Sequence, residues 1–350
     1  MNDEILKALQ GKPINTVHCT IHSTIVGSMT GEAERHFRNQ GFSIAEKGVS
    51  AYIPVMEDVT IETRQHWQDY GIATDTLYKT PVGTLVEKKN TGSDGSEWIK
   101  EYAVETVEDI SILKWILAHT KYYPNYRAII DAENRLGNDG IVVCRLMRSP
   151  LQSLFVDWIG AQQTIMLLYD HPDEMADLMK EMHKNFFRAI ELTAKSPAQI
   201  VWSAENVTSI LTSPPLFEKH CLPFYNEVAD LMHENGKLYG VHMDGNLSAL
   251  KELIGRTRLD FIEGFTPPPM CDLDVKEALD AWPGKVLWLN FPGSVLMQSE
   301  QTIIDYTVEL LNTGMKSGRF LLTISEDLPD WRKNLEALRK GIDAFRFRDA

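Results

Sequence analysis

Eight apolar runs recur along this chain, with helical patterns between them: "INTVHCTI" (14–21), "SAYIPV" (50–55), "GIVVCRLM" (140–147), "QIVWSA" (199–204), "LYGVHM" (238–243), "LDFIEG" (259–264), "VLWLNF" (286–291) and "RFLLTI" (319–324). Most are apolar at successive positions rather than at alternate ones, the pattern of strands buried on both faces. The intervening segments 161–194, 216–235, 247–255, 275–281 and 300–315 carry helical periodicity. Alternation of this kind means α/β, and about eight parallel strands are needed to close a (β/α)8 TIM barrel. That barrel is the expected fold. An open doubly wound sheet is the alternative, but no Gly-rich nucleotide loop follows the first run. Residues 76–105 break the alternation and read as a β-hairpin elaboration with its turn at "TGSDGS".

No repeat or low-complexity linker interrupts the chain, so residues 1–350 are read as one domain. The chain is 43% hydrophobic, enough for a large core. Its formal net charge of −14, from 35 Lys+Arg against 49 Asp+Glu, argues against nucleic acid or an anionic membrane as a partner. No apolar stretch reaches transmembrane length, and "MNDEILKALQ" has no signal-peptide character. Cys19, Cys144, Cys221 and Cys271 are scattered without a C-x-x-C pair, as expected of reduced thiols in a cytoplasmic protein.

In a barrel the C-terminal strand ends converge on one mouth. Those ends carry His18, Glu57 and Asp58, Arg145, Glu205 and Asn206, His242 and Asp244, Glu263, Asn290, then Ser325, Glu326 and Asp327. His242 and Asp244 leave one strand two residues apart, and an imidazole with a carboxylate suits zinc or a similar divalent ion. Equally, Asp244-Gly245-Asn246 reads as a turn in which Asn246 caps the next helix. Glu263 can orient His242 or act as a base, or else pair with Arg256 or Arg258. Glu326 and Asp327 end the last strand and can serve the site, or else Ser325 or Asp327 caps a final helix. Cys271 is a soft ligand or an inert small hydrophobe. Trp158, Trp202, Trp282 and Trp288 are read as core, Met147 as packing, and "EALRKGIDAFRFRD" as a solvated helix face.

Three longer stretches carry a resemblance. They are "SPLQSLFVDWIGAQQTIMLLYDHPDEMADLMKEM" (149–182), "SPPLFEKHCLPFYNEVADLMHENGKLYGVHMDGN" (213–246), and "FIEGFTPPPMCDLDVKEAL" together with "VLWLNFPGSV". They resemble the uroporphyrinogen decarboxylase superfamily of (β/α) barrels over roughly residues 140–340. Two chemistries are implied. The cobalamin-dependent methyltransferases hold zinc on a His-x-Cys pair and a later Cys, and exchange methyl groups with a corrinoid protein. Here His242 matches that His, Asp244 stands at the first Cys, and the Ser325–Glu326 region stands at the second. The decarboxylases use no cofactor and bind their tetrapyrrole through an N-terminal Arg motif that this chain lacks. Arg35 and Arg38 lie in a different setting, while Asp58 falls near the decarboxylase Asp.

The resemblance implies an enzyme closer to the methyltransferase branch. It would act on a methylated small molecule, a methoxyl or methylamine compound, with a corrinoid protein as partner. The expected ion is divalent, with zinc as the candidate, on His242, Asp244 and Glu326. Glu263, Asp58, Glu205 and Asn290 are the expected catalytic groups. A decarboxylase of a uroporphyrinogen-like substrate is the alternative enzyme, and a non-catalytic barrel binding a tetrapyrrole or a protein is the alternative outside catalysis.

Overall fold

A computed structural model describes residues 2–12, 16–22, 32–68, 71–92, 95–325 and 331–346. The chain divides into two compact units, one of residues 1–51, 125–146 and 194–350, the other of residues 52–124 and 147–193. It enters the first unit with the helix Asn2–Leu9, then β1 (Cys19–His22), the helix Glu32–Asn39 and β2 (Phe42–Glu46). It next builds six strands of the second unit: β3 (Tyr52–Met56), β4 (Thr60–Gln68), β5 (Gly71–Thr80), β6 (Gly83–Gly92), β7 (Glu97–Glu101) and β8 (Thr120–Pro124). The first unit resumes with β9 (Gly140–Val142) and β10 (Cys144–Leu146), and later with β11 (Ile200–Ser203), β12 (Leu238–His242), β13 (Phe261–Phe265), β14 (Val286–Asn290) and β15 (Phe320–Ile324).

The first unit is the expected barrel. Its sheet runs β10-β11-β12-β13-β14-β15-β1-β2-β9, with every pairing parallel. Only Val143 separates β9 from β10, so one strand pairs with β2 through its first half and with β11 through its second. The ring therefore closes on eight strands.

Strand residues alternate between the lumen and the surrounding helices. One buried cluster contains Ala45, Ile141, Val143, Trp202, Ala204, Phe261, Trp288 and Leu321, which marks the lumen register on most strands; the pairings carry it to β1, β10 and β12. Ile5, Ala8 and Leu9 belong to the same cluster, so the amphipathic helix Asn2–Leu9 plugs the N-terminal end. Gly240 sits in the lumen register of β12, where the ring of Phe261 takes the space of its missing side chain; a Cβ there would meet that ring at 2.3 Å. At the same N-terminal end Lys237, Lys285 and Arg319 precede β12, β14 and β15. They donate to loop carbonyls, the two lysines to those of Ser196, Ala198, Thr257 and Leu259.

One expected barrel strand is corrected. The run 50–55 supplies β3, which pairs antiparallel with β8 in the second unit, and the second barrel strand is β2. The physical reason is burial. Ile53, Pro54 and Val55 are exposed, whereas Phe42, Ser43, Ile44 and Ala45 are buried on both faces. Apolar character favoured the wrong segment, because β2 needs small residues, Ser43 and Ala45, in its lumen register.

In the second unit β4–β7 form a four-stranded antiparallel sheet, larger than the hairpin expected for 76–105. The expected "TGSDGS" stretch falls between β6 and β7, where the Gly92 N–H donates to Ser96 O at 2.8 Å. The helix Asp109–Ala118 packs on this sheet. Asn185, on the helix Pro172–Ala194, accepts from the Tyr122 hydroxyl at 2.6 Å and donates to the carbonyls of Leu117 and Thr120. Among the described residues no helix is long and apolar enough to cross a membrane.

Gly240→Ala tests the lumen packing. Its methyl group collides with the Phe261 ring and carbonyl, and overpacking of this kind costs about 1–3 kcal/mol. A lowered unfolding midpoint in urea is the expected result, and an unchanged midpoint would contradict the packing.

Candidate active site

Within the strands, the ionisable groups of the lumen register lie toward the C-terminal ends. His22 ends β1, Lys47 follows β2, Arg145 lies on β10, His242 ends β12, Glu263 lies on β13 and Asn290 ends β14. His242 and Glu263 are register partners on adjacent strands, and Trp288 is the next partner of Glu263.

Glu263 is the hub. One of its oxygens accepts from the Lys47 ammonium, and the other lies 2.6 Å from His242 Nδ1. The Lys47 and Glu263 side chains are each 1% exposed, so the pair is sealed from water. Lys47 lies 5.4 Å from the Trp202 ring centroid and 5.1 Å from that of Trp288, which adds cation–π attraction to the ion pair. The Trp288 indole is fixed in turn by donating to Thr20 Oγ1 at 3.0 Å. Arg256 and Arg258 pair with Glu218 and Asp230 instead of Glu263.

Backbone geometry makes room for His242. Gly264 has φ +75° at a bulge in β13, and a Cβ there would stand 2.4 Å from the imidazole. The ring meets Trp202 edge-on at 5.7 Å. With Nδ1 held by Glu263, Nε2 faces the half-exposed Asp244, whose Oδ2 is 3.5 Å away.

These contacts set the charges. Burial opposes a charged His242, but Glu263 and Asp244 outweigh it and raise His242 to about 9. Burial likewise opposes a charged Glu263, yet Lys47 and His242 hold its carboxyl well below the usual range. Asp244 is also lowered, its burial being overcome by His242. His22 goes the other way: burial, then Lys47, with smaller effects of His242 and Arg145, push it down to about 4 against the pull of Glu263. Near neutral pH one histidine of the lumen is charged and the other is neutral.

The remaining expected residues are dispersed. Asn290 accepts from the Ser325 amide at 3.2 Å and its hydroxyl at 2.9 Å, so Ser325 is held here and caps nothing among the described residues. Glu205 is fully buried behind β11, and its charge raises the Tyr239 phenol, which burial already raises. Asp58 occupies the turn between β3 and β4 at φ +54°, in the second unit, so the expectation that it leaves a barrel strand is corrected. Beside it Glu57 pairs with Lys121 at 2.6 Å. Arg38 pairs with Asp139 at 2.6 Å, and Arg35 is exposed. Glu326 and Asp327 lie outside the described residues. The helix after β12 is capped by Asp272, which accepts from the amides of Leu247 and Ser248, rather than by Asn246. The Cys271 thiol, raised by burial to about 11, donates to the Asp244 carbonyl at 3.0 Å. Trp202, Trp282 and Trp288 are buried as expected.

The reading of the sequence missed Lys47 and His22. Lys47 ends "FSIAEK", a run whose small lumen residues hid a strand. His22 lies one residue past the stretch taken as the first strand.

A divalent ion takes three protein ligands at a catalytic site and leaves a fourth position open. His242 Nε2 and Asp244 supply two convergent donors, and among the described residues no group of three or more His, Cys, Asp or Glu side chains could hold a metal ion. The donor set found here does not complete such a site.

Residues 97–329 match the model of the uroporphyrinogen decarboxylase (URO-D) family. Among solved structures, a methyltransferase from Methanosarcina mazei is similar with a TM-score of 0.61 at 13% identity, covering 98% of this chain and 98% of that one. At this identity the likeness shows the fold alone. A sugar phosphate isomerase/epimerase from Parabacteroides distasonis reaches a TM-score of 0.41 at 10% identity, covering 94% of this chain and 93% of that one, too low to carry an argument. No curated protein matches the chain.

Two measurements test the hub. Lys47→Met strands Glu263 in the core beside His242 alone and should cost about 3–5 kcal/mol of unfolding free energy, with Glu263→Gln in the same chain restoring much of it. The second test is the pH profile. A folded-state pKa raised above the unfolded value of about 6.5 gives stability that is fully present below pH 6.5 and lost as pH rises through about 9. The stability gap between the native chain and His242→Gln should therefore shrink across that window in urea titrations. A constant gap would refute the raised pKa.

Proposed function

Because the chain belongs to the uroporphyrinogen decarboxylase (URO-D) family, whose model covers more than half of it, we propose that it is an enzyme moving a methyl group between a methylated small molecule and a corrinoid protein. The observation that carries the reading is the Lys47–Glu263–His242 relay, with Nε2 as its outward end. The methyltransferase fold likeness supports the choice of reaction.

Taking a methyl group from an ether or amine breaks a C–O or C–N bond, and its electron pair stays on the heteroatom. That atom is a poor leaving group unless it gains a proton as the bond breaks. A charged His242 can give the Nε2 proton to it. Glu263 holds Nδ1–H throughout, so the neutral imidazole left behind keeps its orientation. Lys47 keeps Glu263 ionised and therefore keeps His242 charged before the transfer. In the reverse direction neutral His242 takes the proton from the entering hydroxyl or amine. Asp244 steers Nε2 and gives way as substrate enters. The corrinoid of the partner supplies the cobalt that carries the methyl group.

A divalent ion such as zinc, held by Nε2 of His242 and Asp244 with Glu326, is the alternative form of the site: it would take the place of the Nε2 proton and activate the leaving atom as a Lewis acid instead.

The test is an anaerobic assay of methyl transfer from methoxyl and methylamine compounds to a reduced corrinoid protein. His242→Ala should lower turnover by about a hundredfold or more while the chain stays folded. Asp244→Asn should lower it less, because only the steering charge is lost. Unchanged turnover in His242→Ala, or stepwise loss of acetate carboxyls from uroporphyrinogen, would overturn the reading. Full activity in metal-free protein would exclude the ion alone.

A further inference from the structure

Among the described residues the lumen leaves one positive charge unanswered. Lys47 is paired with Glu263, and His242 with Glu263 and Asp244. Arg145 shares the same register, because Ile141 and Val143 on its strand both belong to the lumen cluster. It is exposed while its neighbours Cys144 and Leu146 are buried, as a lumen residue near the open end of a strand should be. Its backbone is occupied, the amide by Val49 O and the carbonyl by Ser50 Oγ. Its guanidinium has no ion-pair partner among the described residues. Arg145 is near enough to His22 to bear on its charge, as Lys47, His242 and Glu263 also do.

A second observation comes from the next strand. Trp202 is the register partner of Arg145. It is 7% exposed, and its indole Nε1 has no acceptor among the described residues. A buried N–H without an acceptor is costly and uncommon. Two residues with unanswered donors thus stand side by side in the wall of the lumen, one of them a cation built for planar bidentate pairing.

We propose that Arg145 is a specificity residue that binds a carboxylate on the substrate, at the level of Trp202 in the lumen. Among the described residues one uncompensated positive charge matches a monoanion; a phosphate dianion would leave negative charge beside Glu263 and Asp244. Arg145 contributes the ion pair, and the unpartnered Trp202 indole N–H on the neighbouring strand favours an acceptor oxygen. The methylated substrate of the proposed reaction would then be a methylated acid, with its carboxylate on β10 and its leaving atom toward His242. The inference deepens that reading but can be tested apart from it.

The test measures binding by isothermal titration to the full chain. The probes are acetate, benzoate and 4-methoxybenzoate, each compared with its neutral amide. At least one carboxylate should bind and its amide should not. Arg145→Gln should weaken that carboxylate by about tenfold to a hundredfold, and Arg145→Lys should retain part of the affinity. The unfolding midpoint of each variant checks that the fold is kept. Equal binding of acid and amide, no binding of any of the three acids, or undiminished binding by Arg145→Gln would each overturn the inference. Carboxylate binding that depends on Arg145 in a chain without methyl transfer would sink the proposed reaction and leave the inference standing.

Discussion

The Lys47–Glu263 pair is the interaction on which the site depends. Two opposite charges buried in a barrel lumen are costly unless both are fully coordinated. Here the ammonium lies near two indole faces, and the carboxylate spends each oxygen on a different cation. The arrangement works only if β2, β11, β12, β13 and β14 all hold their register, since each contributes one member. Assembly of the ion pair and closure of the ring are therefore a single requirement.

From that pair follows the division of labour between two histidines. His242 touches the shared carboxylate and is charged; His22 faces the same lumen, is pushed down by burial and then Lys47, and is neutral. Separating the proton affinities of like groups by their surroundings is how a site holds an acid and a hydrogen-bonding base side by side at one pH. The fold supplies the separation without moving either backbone.

The barrel was legible because buried parallel strands are continuous apolar runs, and seven of the eight expected runs overlap the observed barrel strands. The second was misread because "FSIAE" places serine and alanine where the lumen is narrow, while "SAYIPV" looks more like a buried strand than it is. That slip concealed Lys47. The pairing of His242 with Glu263 could be anticipated because both end apolar runs of successive units. The partner that fixes the charge of Glu263 could not, since Lys47 and Glu263 lie 216 residues apart. Asp58 was drawn to the mouth by the same misplaced strand.

Each strand of the ring writes two messages in alternate letters. On β14, Val286, Trp288 and Asn290 address the lumen, while Leu287 and Leu289 address the helices outside. On β12, Gly240 and His242 belong to the first message, Tyr239 and Val241 to the second. Selection can edit one without rewriting the other. A lineage with this fold can exchange the chemistry at its mouth and inherit its outer shell intact, which makes a shared architecture compatible with residues as different as the Asp244 found here and a thiolate.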